Sequence, residues 1–187
     1  MVNFPVNTGS GHAAMITVVD TGPLLALAKV QALALLKRLY GEVLTTPAVC
    51  TEAVMAGYAC NAPDARTLDF AFKDGSLRVR TPQIVTLPHP FLLHRGEDEC
   101  IRLAIENQAT WLLIDDLAAR QAAEANFSAA GCSTCVKGTL GVVVSATQQA
   151  LLAKTEAIAL ISSLQARPDV WLNAALCDQV IRMLETC

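Results

Sequence analysis

Acidic side chains recur at four predicted element boundaries of this 187-residue chain. Two of the boundaries follow short apolar runs, residues 16–19 and 111–114, whose composition predicts buried strands. The other two fall in the first turns of predicted helices, where the helix dipole favours negative charge. The acids at these four boundaries are Asp20, Glu52, the pair Glu97 and Glu99, and the pair Asp115 and Asp116.

The spacing of these acids predicts a metal site. In a parallel sheet the strands end at the edge where the following helices begin, so we expect the carboxylates to converge. Converging carboxylates raise one another's pKa, and a bound divalent cation removes that cost. Oxygen ligands suit Mg²⁺ or Mn²⁺. The predicted chemistry is phosphodiester hydrolysis, in which the metal activates a water and stabilises the leaving oxygen.

Each acid also has a purely structural interpretation. Asp20 and Asp116 can be helix caps. Glu97 and Glu99 can be solvated charges in a first helical turn, and Glu52 can be an exposed helix residue. One chain with two acids at strand ends and two at helix starts favours a shared metal site over four unrelated structural roles.

The elements that must position these acids alternate between strands and helices. That alternation predicts a three-layer α/β/α fold with a mainly parallel central sheet and extra C-terminal helices. Asp20 ends the first strand, and Thr21, Gly22 and Pro23 form a helix start. Further strands are predicted at 43–45, 77–80 and 132–136, and helices at 24–29, 31–39, 64–73, 97–107, 117–125, 138–150, 155–165 and 173–185.

The predicted domain organisation has three parts. Residues 1–14 lack hydrophobic periodicity and form a loose N-terminal extension or a remnant of cloning, with Met15 as a possible natural start. Residues 15–150 form the core, and residues 151–187 form a helical extension packed on it. The stretch 57–63 breaks a helix, and the proline-rich stretch 81–90 is a loop or edge segment.

The charge balance excludes nucleic-acid binding through overall charge, because the formal net charge is −3. A local basic groove stays possible, and Arg95, Arg102, Arg120 and Lys137 are its candidates. His89 and His94 flank the proline-rich loop and are candidate general bases, although surface positions are the simpler interpretation.

Hydrophobic residues make up 53% of the chain and the mean hydropathy is +0.41. No apolar run approaches the ~18 residues that span a bilayer, so no membrane contact is expected and the excess indicates a core plus a subunit interface. The seven cysteines are scattered and odd in number, which favours reduced thiols and a cytoplasmic protein. Cys132 and Cys135 have zinc or redox spacing but lack a second pair, so two free thiols are expected.

Several segments resemble PIN domains, and the resemblance covers roughly residues 15–185. The similar segments are 18–27 (VVDTGPLLAL), 46–49 (TPAV) with Glu52, 96–104 (GEDECIRLA), and 112–116 (LLIDD) followed by Ala119 and Arg120. Residues 137–142 (KGTLGV) and 170–172 (VWL) are similar to one prokaryotic PIN-like subfamily. The third acid is Glu where the family pattern has Asp, and the stretch 126–135 is longer than usual.

The resemblance implies a metal-dependent ribonuclease, often the toxin of a toxin–antitoxin pair, with an RNA substrate and an antitoxin partner. It implies one or two Mg²⁺ or Mn²⁺ ions and a homodimer. Asp20 is then the surest ligand, followed by Asp116 and Glu52. Glu97 and Glu99 stay alternatives for the third position, with Glu99 in the ligand set, and Asp115 is a ligand or lies just behind the ligands.

Two other functions stay open. The first is a PIN-fold module that binds a protein or RNA without cutting it, and the weak basic character favours this. The second is a phosphatase-like or nucleotide-binding α/β domain. The absence of a glycine-rich phosphate loop after the first strand argues against the second.

Overall fold

The computed structural model describes residues 15–56, 58 and 63–186 of the chain. The strands are β1 (Ile16–Val19), β2 (Glu42–Thr45), β3 (Arg78–Val79), β4 (Trp111–Leu113) and β5 (Cys135–Lys137). The helices are α1 (Thr21–Lys29), α2 (Ala34–Tyr40), α3 (Pro47–Cys50), α4 (Pro63–Lys73), α5 (Arg95–Glu106), α6 (Leu117–Ala130), α7 (Thr139–Gln148), α8 (Lys154–Gln165) and α9 (Ala174–Thr186). A π-helix, Thr51–Ala56, continues α3.

The five strands form one all-parallel sheet in the order β3-β2-β1-β4-β5. Strand β1 is central, with Val18 opposite Leu44 on one side and Val19 opposite Leu113 on the other. Helices pack on both faces, so the α/β fold and its mainly parallel sheet are confirmed. Within the described residues, no helix is long and apolar enough to cross a membrane.

The sheet is held by a core to which almost every element contributes. Val18, Val19, Leu112 and Leu113 are fully buried, as expected for central strands covered on both faces. A second apolar cluster joins α7, α8 and α9 through Leu140, Val143, Ala157, Ile161, Cys177 and Leu184. Helix α7 therefore belongs to the core and also carries the C-terminal helices.

Several predicted bounds shift for local reasons. Helix α2 begins at Ala34 instead of residue 31, because Gln31 lies in a turn with φ +58°. Helix α6 continues to Ala130 and ends at Gly131 with φ +66°, a left-handed conformation that favours glycine. The first half of the stretch 126–135 is thus helical, and β5 starts later than predicted. Residues 1–14 and most of the predicted break at 57–63 lie outside the described residues.

Candidate active site

A cleft of about 610 Å³ opens at the carboxyl ends of the strands. Asp20 leaves β1 there, and its backbone N–H still donates to Leu113 O at 3.0 Å. Asp115 and Asp116 follow β4 at the same edge. The acids that line the cleft are Asp20, Glu52, Glu97, Asp115, Asp116 and Asp169. The structure therefore brings five of the six predicted acids to one cleft.

Asp20 is the most deeply placed of these carboxylates, with 8% of the residue exposed. Its pKa is raised to about 7, chiefly by burial, with a smaller contribution from the negative charges of Glu97 and Glu52. The backbone N–H groups of Thr21 and Gly22 offset part of this rise. A carboxylate in these surroundings is costly to ionise without a nearby positive charge.

Glu52 lies on the π-helix that continues α3, and Thr21 fixes its side chain. The Thr21 hydroxyl donates to Glu52 Oε2 at 2.8 Å. Gly96, in the first turn of α5, lies close to both carboxylates, since a Cβ atom there would stand 3.4 Å from Asp20 Oδ1 and 3.7 Å from Glu52 Oε2. The start of α5 therefore lies beside both carboxylates.

The structure separates the two alternatives for the third acid. Glu97 lines the cleft, and its Oε2 accepts from the His94 backbone N–H at 2.9 Å. Glu99 is buried elsewhere, where its Oε2 accepts from Ala48 N at 3.2 Å and its Oε1 accepts from Arg95 Nε at 2.8 Å. Burial raises the pKa of Glu99, but Arg95 and the Ala48 N–H outweigh it and hold the pKa below its usual value.

Glu99 thus ties α5 to the start of α3 and does not reach the cleft. The sequence placed Glu99 in the ligand set. In the proposal below, Glu97 takes that position instead. The physical reason is that both oxygens of Glu99 already have partners on other elements.

Asp115 is held by the first residue of α7. Thr139 N donates to Asp115 Oδ1 at 2.7 Å, and the Thr139 hydroxyl donates to Oδ2 at 2.6 Å. Burial raises the pKa of Asp115, while the two Thr139 hydrogen bonds and the Arg120 charge oppose the rise. A Cβ atom at Gly138 would stand 2.8 Å from Asp115 Oδ1, so glycine is needed for this close approach.

Asp116 has the capping role that its position predicted. Its Oδ1 accepts from Ala119 N at 2.8 Å at the start of α6. Asp116 is also exposed and lines the cleft. Asp116 therefore caps α6 and faces solvent in the cleft at the same time.

One wall of the cleft comes from the segment between α8 and α9, which sequence reasoning did not assign to the site. Residues Asp169, Val170, Trp171, Leu172 and Asn173 line it. The sequence shows only that residues 170–172 are similar to a PIN-like subfamily. That similarity does not indicate that these residues lie at the cleft.

The four basic candidates are not gathered in the cleft. Arg95 pairs with Glu99, and Arg102 pairs with Asp98 at 2.6 Å. Lys137 is buried, with its Nζ 3.7 Å from the centre of the Trp111 ring and 2.7 Å from Ser145 Oγ.

Arg120 lies close to Asp115, since its charge lowers the pKa of that carboxyl and a Cβ atom at Gly138 would lie 3.7 Å from its Nη1. Among the described residues that line the cleft, His94 is the single basic side chain, and neither Lys nor Arg is present.

The chemistry of these donors fits a hard divalent cation. All are carboxylate oxygens, and the raised pKa of Asp20 marks a place where positive charge is favoured. As the side chains stand, no three His, Cys, Asp or Glu residues among those described are close enough to hold an ion by themselves. Mg²⁺ commonly takes one or two carboxylates and completes its shell with waters and substrate phosphate.

A parallel sheet with a carboxylate-lined cleft at its carboxyl edge defines the class as an α/β domain with an acidic site at the strand ends. The chain belongs to the PIN domain family, because the family profile described as "DUF3368: PIN domain" matches residues 16–186. PIN domains are generally nucleases and typically use divalent metals.

Among solved structures, the chain is similar to a PilT N-terminus domain protein from the hyperthermophilic archaeon Sulfolobus solfataricus. The match has 19% identity and a TM-score of 0.43, and covers 65% of this chain and 87% of the other. No curated protein matches the chain at a significant level.

Proposed function

We propose that this protein is a divalent-metal-dependent endoribonuclease that hydrolyses phosphodiester bonds with water. The observation that carries the proposal is Asp20, a carboxylate with a pKa near 7, set beside Glu52 and Glu97 at the sheet edge of a PIN domain. Like-charge crowding of this kind is stabilised by Mg²⁺ or Mn²⁺.

The proposed ligands are Asp20, Glu52, Glu97 and Asp116, with Asp115 beside them. A bound Mg²⁺ or Mn²⁺ would acidify a water and neutralise charge on the phosphate and the leaving oxygen. Thr21 and Thr139 orient Glu52 and Asp115 through their hydroxyls. His94 lines the cleft, where an imidazole is suited to moving a proton to or from the reacting oxygens.

The biological setting belongs to the same proposal. We propose that the protein acts in the cytoplasm as the toxin of a toxin–antitoxin pair and forms a homodimer. The toxin role follows from the resemblance described above, and the PIN domain profile supports the nuclease-like fold on which it depends. Large exposed apolar side chains outside the cleft, such as Met55, Phe70 and Leu92, supply surfaces for a second copy or an antitoxin.

The acidic character of the cleft favours a second candidate function. A PIN-fold module that binds a partner without cutting RNA would need no metal-bound water. The lack of Lys and Arg among the described residues lining the cleft supports this alternative. The two candidates differ in one measurable property, which is RNA cleavage that depends on added metal.

The test compares the RNA cleavage rates of variants at two acids of the cleft with that of a variant at an acid outside it. With Mn²⁺ and single-stranded RNA, we expect Glu97→Gln and Asp20→Asn each to lower the cleavage rate on the order of 100-fold or more, because each loses a charge facing the metal. Asp98→Asn is the matched control, since Asp98 pairs with Arg102 outside the cleft and should leave the rate unchanged.

Wild-type protein that cuts no RNA at millimolar Mn²⁺ would support the binding module instead. Equal losses in Glu97→Gln and Asp98→Asn would contradict the assignment of Glu97. Equal cleavage by Asp20→Asn and wild type would remove the site altogether.

A further inference from the structure

Trp171 is the largest exposed apolar side chain at the cleft. The residue is 92% exposed, although indole is among the side chains that gain most from burial. It lines the same cleft as Asp20, Glu52 and Glu97. Leu117, which is also exposed, follows Asp116 and lines the cleft as well.

The segment that carries Trp171 is fixed on both sides of the ring. Before it, Lys29 Nζ donates to Asp169 Oδ2 at 2.7 Å and to Asp169 O at 3.2 Å. After it, Leu172 packs against the cluster of α7, α8 and α9. Asn173 Oδ1 accepts from Leu176 N at 3.0 Å at the start of α9. The indole is therefore presented at the cleft by an anchored backbone.

We propose that Trp171 is a stacking platform for an unpaired nucleobase of a single-stranded RNA whose phosphodiester lies at the carboxylates. The inference rests on the proposed function and adds to it a residue that binds a base of the RNA. Proteins read single-stranded RNA largely by stacking its splayed bases on aromatic side chains. Such stacking accepts any base, because every base has a π-face.

The composition of the cleft favours a base over an apolar protein segment as the occupant. Six acids line the cleft together with Trp171, and an apolar partner would leave those charges without compensation. A nucleotide chain would meet both needs together with the divalent cation of the proposed function, since that cation would balance the acids and a phosphate while the base would cover the ring. A volume of about 610 Å³ is within the range of pockets that bind small ligands.

The test measures binding of a single-stranded RNA of about ten nucleotides, within the usual size of single-strand sites. Ca²⁺ replaces Mn²⁺ so that binding is followed rather than cleavage. The chain has two tryptophans, so the difference in emission between wild type and Trp171→Phe reports on Trp171. We expect RNA to quench that emission, and Trp171→Ala to bind roughly 5- to 100-fold more weakly.

Three controls sharpen the result. Trp171→Phe keeps an aromatic face and should retain much of the affinity. Phe70→Ala removes an exposed ring on α4, outside the cleft, and should bind RNA as wild type does. An oligomer of abasic ribose phosphates should bind equally to wild type and Trp171→Ala, because it has no base to stack.

Unchanged Trp171 emission at saturating RNA, or equal affinity of Trp171→Ala, would overturn the inference. The inference would also be overturned if Trp171→Ala changed the oligomeric state and kept the RNA affinity of wild type. The indole would then contact another protein chain and not RNA. RNA cleavage with no effect of Trp171 refutes the stacking role alone. Quenched binding without cleavage refutes the nuclease alone, and no binding by wild type refutes both.

Discussion

Asp20 shows at the scale of one residue how burial prepares a carboxylate for a cation. Its pKa near 7 arises mainly from burial, with Glu97 and Glu52 adding to it. The buried thiol of Cys100 lies near Asp20, and burial together with the Asp20 charge raises the pKa of that thiol. The contributions that lower this pKa come from the backbone N–H groups of Thr21 and Gly22, and a bound cation would lower it further.

The first prediction concerns the pH dependence of stability without metal. The pKa of Asp20 is about 7 in the folded protein, against 3.8 for an ordinary Asp. The folded state therefore binds the proton more tightly, and Asp20 destabilises the fold increasingly as pH rises from about 4 to about 7. At pH 8 we expect Asp20→Asn to be more stable than wild type by on the order of 4 kcal/mol.

Urea unfolding in EDTA measures this difference, which should vanish near pH 4. Adding Mn²⁺ at pH 8 should stabilise wild type and leave Asp20→Asn unchanged, because the ion would bind the folded state and neutralise the buried Asp20 charge. A variant that is less stable than wild type at pH 8 without metal would show that Asp20 has a stabilising contact instead.

At the scale of elements, a buried asparagine controls the segment that leads into α5. Asn126 is fully buried on α6. Its Oδ1 accepts from His89 N at 2.8 Å, and its Nδ2 donates to His89 O at 3.2 Å. Residues 81–94 otherwise run as an irregular stretch before His94 and Glu97. Asn126 therefore ties this segment to α6 at His89, eight residues before Glu97.

We predict that Asn126→Leu frees residues 81–94 from α6. The substitution leaves the His89 N–H and C=O without their partner, at a cost of roughly 1–3 kcal/mol. Amide hydrogen exchange should accelerate in residues 81–94 and the cleavage rate should fall. Ser128→Ala, on the exposed side of α6, is the control and should change neither. Exchange that stays slow in Asn126→Leu would assign the order of this segment to other contacts.

For the molecule as a whole, the C-terminal helices are part of the structure that supports the cleft. Ile161 of α8 is fully buried between α7 and α9, and α7 begins with the Thr139 that orients Asp115. Lys29 of α1 also reaches across to Asp169. Residues 151–186 are therefore joined to the core by apolar packing and by an ion pair.

We predict that Ile161→Ala lowers the free energy of unfolding of the whole chain by about 2–4 kcal/mol, because it leaves a cavity in a packed cluster. Unfolding in urea should remain a single transition when followed by both tryptophan emission and helical circular dichroism. Leu176→Ala, at an exposed position on α9, should have little effect. Two separate transitions would show that the C-terminal helices fold as an independent unit.

Local patterns were sufficient to predict the fold and the strand-end acids. The apolar runs before Asp20 and Asp115 identify buried parallel strands, and parallel strands place the following residues at one edge. The PIN resemblance predicted the same family that the profile match supports.

Longer-range packing decided what the sequence left open. Glu97 and Glu99 lie in one helical turn, and residues two apart point to different sides of a helix. Which side faces Asp20 depends on Ala48 and Arg95, both of which contact Glu99. The position of Trp171 beside Asp20 depends on how α8 and α9 pack, and hydrophobic periodicity carries no such information.

The central position of β1 has a consequence for when the site can form during synthesis. Strand β1 is made first but bonds to β4, and the Asp20 N–H is bound by Leu113. A nascent chain cannot complete this pairing until β4 has left the ribosome. A chain that ends before β4 carries Asp20, Glu52 and Glu97 but lacks the strand that holds Asp20 at the edge. The active site of the nuclease that we propose can therefore form only after β4 has been synthesised and has paired with β1.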